Sequence, residues 1–252
     1  MPFLDHLEEL RWRLLKGIVA LMVGIGVSMS ICMNPKYDVI ALLIKPIAPF
    51  LTGSSLVYTH PVEPFSILLK IAIGLGFVLA SPVIAYQIWA FLSPALMPRE
   101  RKVLIPVLVG AALLFLGGIA VSVFVFVPVT MSLMQTIQTS ALRQMISADD
   151  YFGFLFSISL AFGAMFELPI VILALTALGL ITPKLLTKYR RHAFVICLVV
   201  CEIITPGDVI ISTLVLFVPV YGLYELSIIV SWFVHRARLR RQKDSAAIGE
   251  AA

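Results

Sequence analysis

The feature that most constrains this sequence is its division into long apolar runs joined by short polar connections. A bilayer core about 30 Å thick takes roughly 20 apolar residues of helix to cross. Runs near 14–33, 65–91, 103–127, 151–180 and 209–233 reach or approach that length. The run 192–204 does not: its apolar part, Ala193–Ile204, makes only about 18 Å of helix at ~1.5 Å per residue. Hydrocarbon offers no water to peptide groups, so an apolar run of this kind crosses it as a helix. The expected fold class is an all-α integral membrane protein. It has six transmembrane helices with kinks, the C-terminal ones short, in one membrane domain over 1–252 with a tail over 234–252. Only 13% of residues are charged and the mean hydropathy is +1.03, against about 25% charged in a soluble chain.

Basic residues orient the bundle. With six spans both termini share a side, and fifteen of the 19 Lys and Arg residues fall there: Arg11, Arg13, Lys16, Arg99, Arg101, Lys102, Lys184, Lys188, Arg190, Arg191 and the tail from Arg236 to Lys243. Lys36, Lys45 and Arg143 lie on the other side, and Lys70 sits close enough to its span's end to snorkel there. The positive-inside rule then makes both termini cytoplasmic. The net charge of +5 is thus a topology signal and not a nucleic-acid surface, and the tail is expected to meet anionic lipid. Beyond Asp244 the composition predicts disorder.

Inside the fourth run stands Phe162-Gly163-Ala164-Met165-Phe166-Glu167-Leu168-Pro169, with Glu167 its only ionisable residue. A charge at bilayer depth costs about 2.5–3.5 kcal/mol on insertion scales, so Glu167 is expected to face other helices or a wet cavity. Pro169 has no N–H for the carbonyl of Met165, which predicts a bend. A bent helix with a buried acid suggests a concave surface for something polar; the alternative is a protonated acid that only packs against a neighbouring helix.

Before the first span, Leu4, Leu7, Leu10 and Leu14 share one helical face, and His6, Glu9 and Arg13 another. This predicts an amphipathic helix at the membrane surface running into the first span; Glu9 and Arg13, four apart, suit a surface ion pair. Val39–Ile44 is too short to span and reads as an interfacial helix. Ser81-Pro82 interrupts the second run, Pro128 ends the third, and Pro219 breaks the last, which also carries Glu225. Residues 129–150 and 182–191 read as polar loops. Cys32, Cys197 and Cys201 make no disulfide framework or metal site.

Other classes are poorly served. No HExxH, GxSxG or Walker A sequence occurs, and Gly74-Leu75-Gly76 lacks the third glycine and preceding strand of a nucleotide site. No catalytic residues, metal or cofactor are expected. A small-molecule secondary transporter is the alternative reading, compatible with broken helices and a buried acid, but no internal repeat is visible.

Five short motifs decide between these readings. His6-Leu7-Glu8-Glu9-Leu10-Arg11, Ser81-Pro82 with Tyr86-Gln87-Ile88-Trp89-Ala90-Phe91, Pro94-Ala95-Leu96 with Glu100-Arg101, Phe162-Gly163 with Phe166-Glu167-Leu168-Pro169, and Thr205-Pro206-Gly207-Asp208 follow one another in that order. In this order the chain from His6 to Glu225 resembles the TatC family, the receptor subunits of the twin-arginine protein translocase. Gly207 departs from the second proline that the family often has there.

The resemblance implies a glove-like bundle in the bacterial plasma (inner) membrane that binds the signal peptides of folded cargo at its cytoplasmic face. It further implies a homo-oligomer within a Tat receptor complex, the single-span partners TatA and TatB, and export driven by the proton-motive force. Motif matching assigns the signal's paired arginines to Glu9 and Glu100, in a site shaped by Arg11, Phe91, Leu96 and Arg101. The chemistry agrees, because a planar, permanently charged guanidinium fits a carboxylate in a fork that lysine lacks. Within the membrane, Glu167 is expected to meet a polar residue of a partner span or of the signal peptide, and a polar cluster of Glu202, Thr205 and Ser212 is expected to meet a partner span. For Glu202, snorkelling to the outer surface is an equally open reading.

Overall fold

The computed structural model describes residues 2–51, 56–92, 104–137, 145–204 and 210–250. The described residues are helical apart from short connections and one isolated bridge between Val57 and Ser147. Among the described residues, five helices are long and apolar enough to cross a membrane: Leu7–Cys32, Glu63–Phe91, Val107–Thr136, Ala148–Ala177 and Thr213–Arg236. The chain divides into two compact units, Met1–Ala164 and Met165–Ala252.

The first unit opens with α1 (Pro2–Cys32), one helix of 31 residues. The amphipathic segment is therefore the first turns of the opening span, and at ~1.5 Å per residue α1 exceeds a bilayer core by several turns. Next come α2 (Val39–Ile44), started by Asp38, whose Oδ1 accepts from the Ala41 N–H at 2.9 Å, and a 3-10 helix over Lys45–Phe50. The helix α3 (Glu63–Leu92) lies against α1. Gly24 and Gly76 make their close approach possible: a Cβ on Gly24 would lie 2.5 Å from the Gly76 carbonyl oxygen, and one on Gly76 would lie 2.6 Å from Ile25 Cα. On the opposite face of α3, a Cβ on Gly74 would overlap the Phe156 ring of α6 (Ala148–Phe166). The Gly74-Leu75-Gly76 sequence is thus a two-sided packing device, since residues two apart on a helix face opposite ways.

Pro82 does not interrupt α3. It leaves the Val78 carbonyl without its N–H donor, and the Ser81 hydroxyl donates to that carbonyl at 2.7 Å. Pro128 does not end the third span either. The helix α4 (Leu104–Val121) passes into a π-helical segment, Ser122–Phe126, where the Val127 N–H reaches the Ser122 carbonyl, and continues as α5 (Val127–Ile137). The π segment lies directly before Pro128 and the helix continues through it, so much of the stretch expected as a polar loop from 129 is helical. Buried Ser122 and Ser159 face each other there at 3.2 Å, from the π segment to α6.

Lys70 does not simply snorkel. Its Nζ lies 2.7 Å from Asp149 Oδ2 and donates to the Asp149 carbonyl at 3.1 Å, while Ser66 Oγ donates to Asp149 Oδ1. The connection between α2 and α3 is fastened beside this knot. The Val57 N–H donates to the Ile146 carbonyl at 3.1 Å, the Ala148 N–H to the Val57 carbonyl at 2.8 Å, and the Tyr151 hydroxyl to the Leu43 carbonyl at 2.9 Å. Glu63 accepts from the Thr59 and His60 N–H groups, both at 3.0 Å, and from the Thr59 hydroxyl at 2.6 Å.

In the second unit, α7 (Leu168–Leu178) ends at Gly179, whose φ of 78° suits only a residue without Cβ. Thr182 and Pro183 start α8 (Pro183–Lys188) inside the expected basic loop. Then α9 (Arg190–Ile204) leads to α10 (Ile210–Glu250), a helix of 41 residues. Pro219 does not break α10, and the helix runs past Asp244, where disorder was expected, in a segment rich in good helix formers such as Ala, Arg, Gln and Lys. At 15 residues α9 is still shorter than a bilayer core at ~1.5 Å per residue. Ile172 of α7, Leu186 of α8, and Tyr224 and Ile228 of α10 form a buried core cluster of the second unit.

Candidate functional site

Of the expected signal-binding residues, Glu9, Arg11 and Phe91 are described and lie on the first unit. Glu9 sits on α1 one turn before Arg13, which donates to Glu9 Oε1 from Nε at 2.9 Å and from a terminal nitrogen at 2.5 Å. The pair is the i,i+4 bridge that its spacing predicts, and both side chains remain partly open. Arg11 is exposed on the same helix, and Phe91 is half-buried near the end of α3. Glu100, Leu96 and Arg101 lie outside the described residues.

The acid at the centre of the sequence reading stands where the helix stops. α6 ends at Phe166, Glu167 forms a single turn residue, and α7 starts at Leu168. Pro169, expected to bend a helix, separates two: it takes an early position of α7, where a missing N–H costs nothing. The Glu167 carbonyl accepts from the Ile170 and Val171 N–H groups, both at 3.0 Å, and closes the first turn of α7. Its half-buried carboxyl makes no hydrogen bond or ion pair among the described residues.

Around the last turn, Glu202 is exposed on α9 and accepts a hydrogen bond from the Thr213 hydroxyl at 2.8 Å. Thr213 was not singled out from the sequence; α9 and α10 pack together, and residue 213 comes opposite residue 202. Thr205 lies outside the described residues, and so does the side chain of Ser212, although its backbone is part of α10.

Two further polar sites escaped the sequence reading. One is the Lys70–Asp149 knot. The other joins α9 to α10: Arg190 donates to Glu225 Oε2 at 2.7 Å and the Tyr221 hydroxyl donates to Glu225 Oε1 at 2.9 Å. Glu225 is an acid in an apolar run, which signals that it has a partner, but the partner is 35 residues away.

The fold of this chain is similar to that of solved proteins. The family model described as Sec-independent protein translocase protein (TatC) matches residues 5–219. The chain belongs to the TatC family. Its TatC relatives include a Sec-independent protein translocase protein TatC from Aquifex aeolicus, 37% identical over 96% of this chain and all of that protein. The TatC of Escherichia coli K12 is 34% identical over 96% of this chain and 92% of its own length. A crystal structure of a twin-arginine translocase receptor, TatC, superposes with a TM-score of 0.79 at 36% identity, covering 91% of this chain and 99% of that one. These matches run through nearly the whole of each protein.

Proposed function

We propose that this chain is the receptor of a twin-arginine translocase, a protein-translocation component and not an enzyme. The observation that carries the reading is the near-complete match, in sequence and in fold, to TatC proteins, one of them titled a twin-arginine translocase receptor. In this reading the six spans, α9 included, put both termini in the cytoplasm of the bacterial inner membrane, where the excess of basic residues belongs. Signal peptides of folded cargo bind at that face. Glu9 and Glu100 take the paired arginines, and Arg11, Phe91, Leu96 and Arg101 shape the site.

The ion pair on α1 supports the chemistry, because Glu9 already holds a guanidinium through two of its nitrogens in a partly open setting. A signal arginine would exchange for Arg13 at little cost, since an exposed pair of this kind contributes only about 0.3–0.5 kcal/mol. TatA and TatB single spans then contact the intramembrane acids Glu167 and Glu202, with Thr205 and Ser212 beside the latter, and the proton-motive force drives cargo across. The receptor works as a homo-oligomer in a Tat receptor complex.

The test is export of a folded reporter carrying a twin-arginine signal, combined with photo-crosslinking from positions 9 and 100. Glu9→Lys with Glu100→Lys is expected to abolish export and signal crosslinking, and replacing the signal's arginines by lysines to weaken crosslinking to the unaltered chain. Intact export by the double variant would overturn the assignment of these two acids.

A further inference from the structure

The hydrogen bond from Thr213 gives Glu202 a chemical sense that the receptor reading does not use. We propose that Glu202 is a specificity-determining residue that selects a partner span carrying a hydrogen-bond donor at its depth. The proposal rests on the reading that a partner span docks on α9, and it names the chemistry that span must bring.

Glu202 is not placed to stabilise the helix it stands on. It lies in the last described turn of α9, where the backbone carbonyls form the negative end of the helix dipole and an acid is disfavoured. No basic residue shares that turn. The line that α9 buries is Cys197 and Cys201, and the Phe194 ring packs 4.8 Å from Phe217 of α10. Glu202 belongs to another line. It is exposed, seven, four and three residues after Val195, Leu198 and Val199, which are exposed too. An acid that closes an unpacked apolar stripe in a membrane-spanning segment calls for a partner from outside the helix pair.

The sense of that contact follows from Thr213. Its hydroxyl donates to Glu202 Oε2 at 2.8 Å, which ties the side chain to α10 and makes it an acceptor. Oε1 accepts nothing among the described residues. A carboxylate has only acceptor sites to offer, on both oxygens. A partner side chain that also only accepts brings no proton to share, and an apolar one leaves Oε1 bare in hydrocarbon. An amide N–H or a hydroxyl completes it. A partner span with a glutamine, asparagine, serine or threonine opposite Glu202 is therefore favoured over one with an acceptor or an apolar residue there, through the hydrogen bond that only the first forms.

The experiment uses the full chain in phosphatidylcholine bilayers, with a benzophenone amino acid in place of Val195, and reads photo-crosslinking to a synthetic single-span helix of leucine and alanine. Three probes differ in one side chain near the outer end of that helix. Glutamine donates and accepts, methionine sulfoxide only accepts, and methionine has a similar shape but does neither. The glutamine probe is expected to half-saturate at a concentration lower than the methionine probe by about threefold or more, the effect of one hydrogen bond between helices in a membrane. The sulfoxide probe is expected to match methionine. Glu202→Leu is expected to bring all three together. Glu202→Gln, whose amide also donates, is expected to give the sulfoxide probe the advantage it lacks on the unaltered chain. A sulfoxide probe that binds the unaltered chain as well as glutamine does, or a glutamine advantage that survives Glu202→Leu, would overturn the proposal. Equal crosslinking of all three probes to the unaltered chain would overturn it while leaving α9 as a docking face. Crosslinking of none would strike the docking reading itself, and the proposal with it.

Discussion

The two units are held together by different means. In the first, α1 and α3 meet at Gly24 and Gly76 with almost no side chain between their backbones, and the loops around Val57 and Asp149 are tied down at one end. In the second, side chains bridge the gap: Thr176 and Ser231 are 2.9 Å apart between α7 and α10, Tyr224 reaches the backbone of α8, and Arg190 reaches Glu225. Lipid tails are as apolar as leucine, so burial alone does not bring spans together. Close van der Waals packing and polar contacts remain as the two ways to do it. The first unit uses both, close packing at its glycines and polar ties at Asp149 and Ser122, while the second shows side-chain polar contacts between its helices.

Three substitutions sharpen this contrast, from the largest expected effect to the smallest. Gly76→Val places a Cβ against the Ile25 backbone, which has no flexible end to move aside. It is expected to destabilise the first unit by about 3 kcal/mol or more, seen as loss of a monodisperse detergent peak or a large fall in unfolding temperature. A folded, unshifted protein would show that the two helices do not depend on the glycines. Lys70→Ala removes the cation from Asp149 and Ser66. The expected result is a moderate fall in thermal stability with faster proteolysis between 34 and 62, partly recovered when Lys70→Asp is combined with Asp149→Lys. If the two positions show no coupling, the knot does not fasten the loop.

The smallest effect belongs to the second unit. Thr176→Val keeps the shape and removes the hydroxyl facing Ser231, for an expected loss of about 0.6–2 kcal/mol in a membrane interior. The same loss is expected for Ser231→Ala, and the double variant should cost less than the sum of the two. Additive losses would mean that the hydroxyls act separately, and the contrast between the units would weaken.

One contact at the candidate site was legible because it rests on a local rule. Glu9 and Arg13 pair because four residues make one helical turn. Pro169 was read as a bend within one helix, whereas it opens a new one, because proline fits a first turn and not an interior. The sequence also misread prolines through which a helix continues. Ser81 caps Val78 beside Pro82, and a π-helical segment lies directly before Pro128. Neither feature has a signal strong enough to anticipate. Gly74 and Gly76 look like a fragment of a phosphate loop until the helices on either side are in place.

The amino-acid order alone determined the class of molecule. The lengths of its apolar runs, set against the thickness of hydrocarbon, demand membrane-crossing helices, and its motifs in order point to TatC. The pairings waited for the tertiary structure: Lys70 with Asp149, Arg190 with Glu225, and Glu202 with Thr213. A charge in an apolar run announces that it needs a partner. Which partner it gets depends on how separate helices pack, and the spacing of residues along one helix carries no record of that.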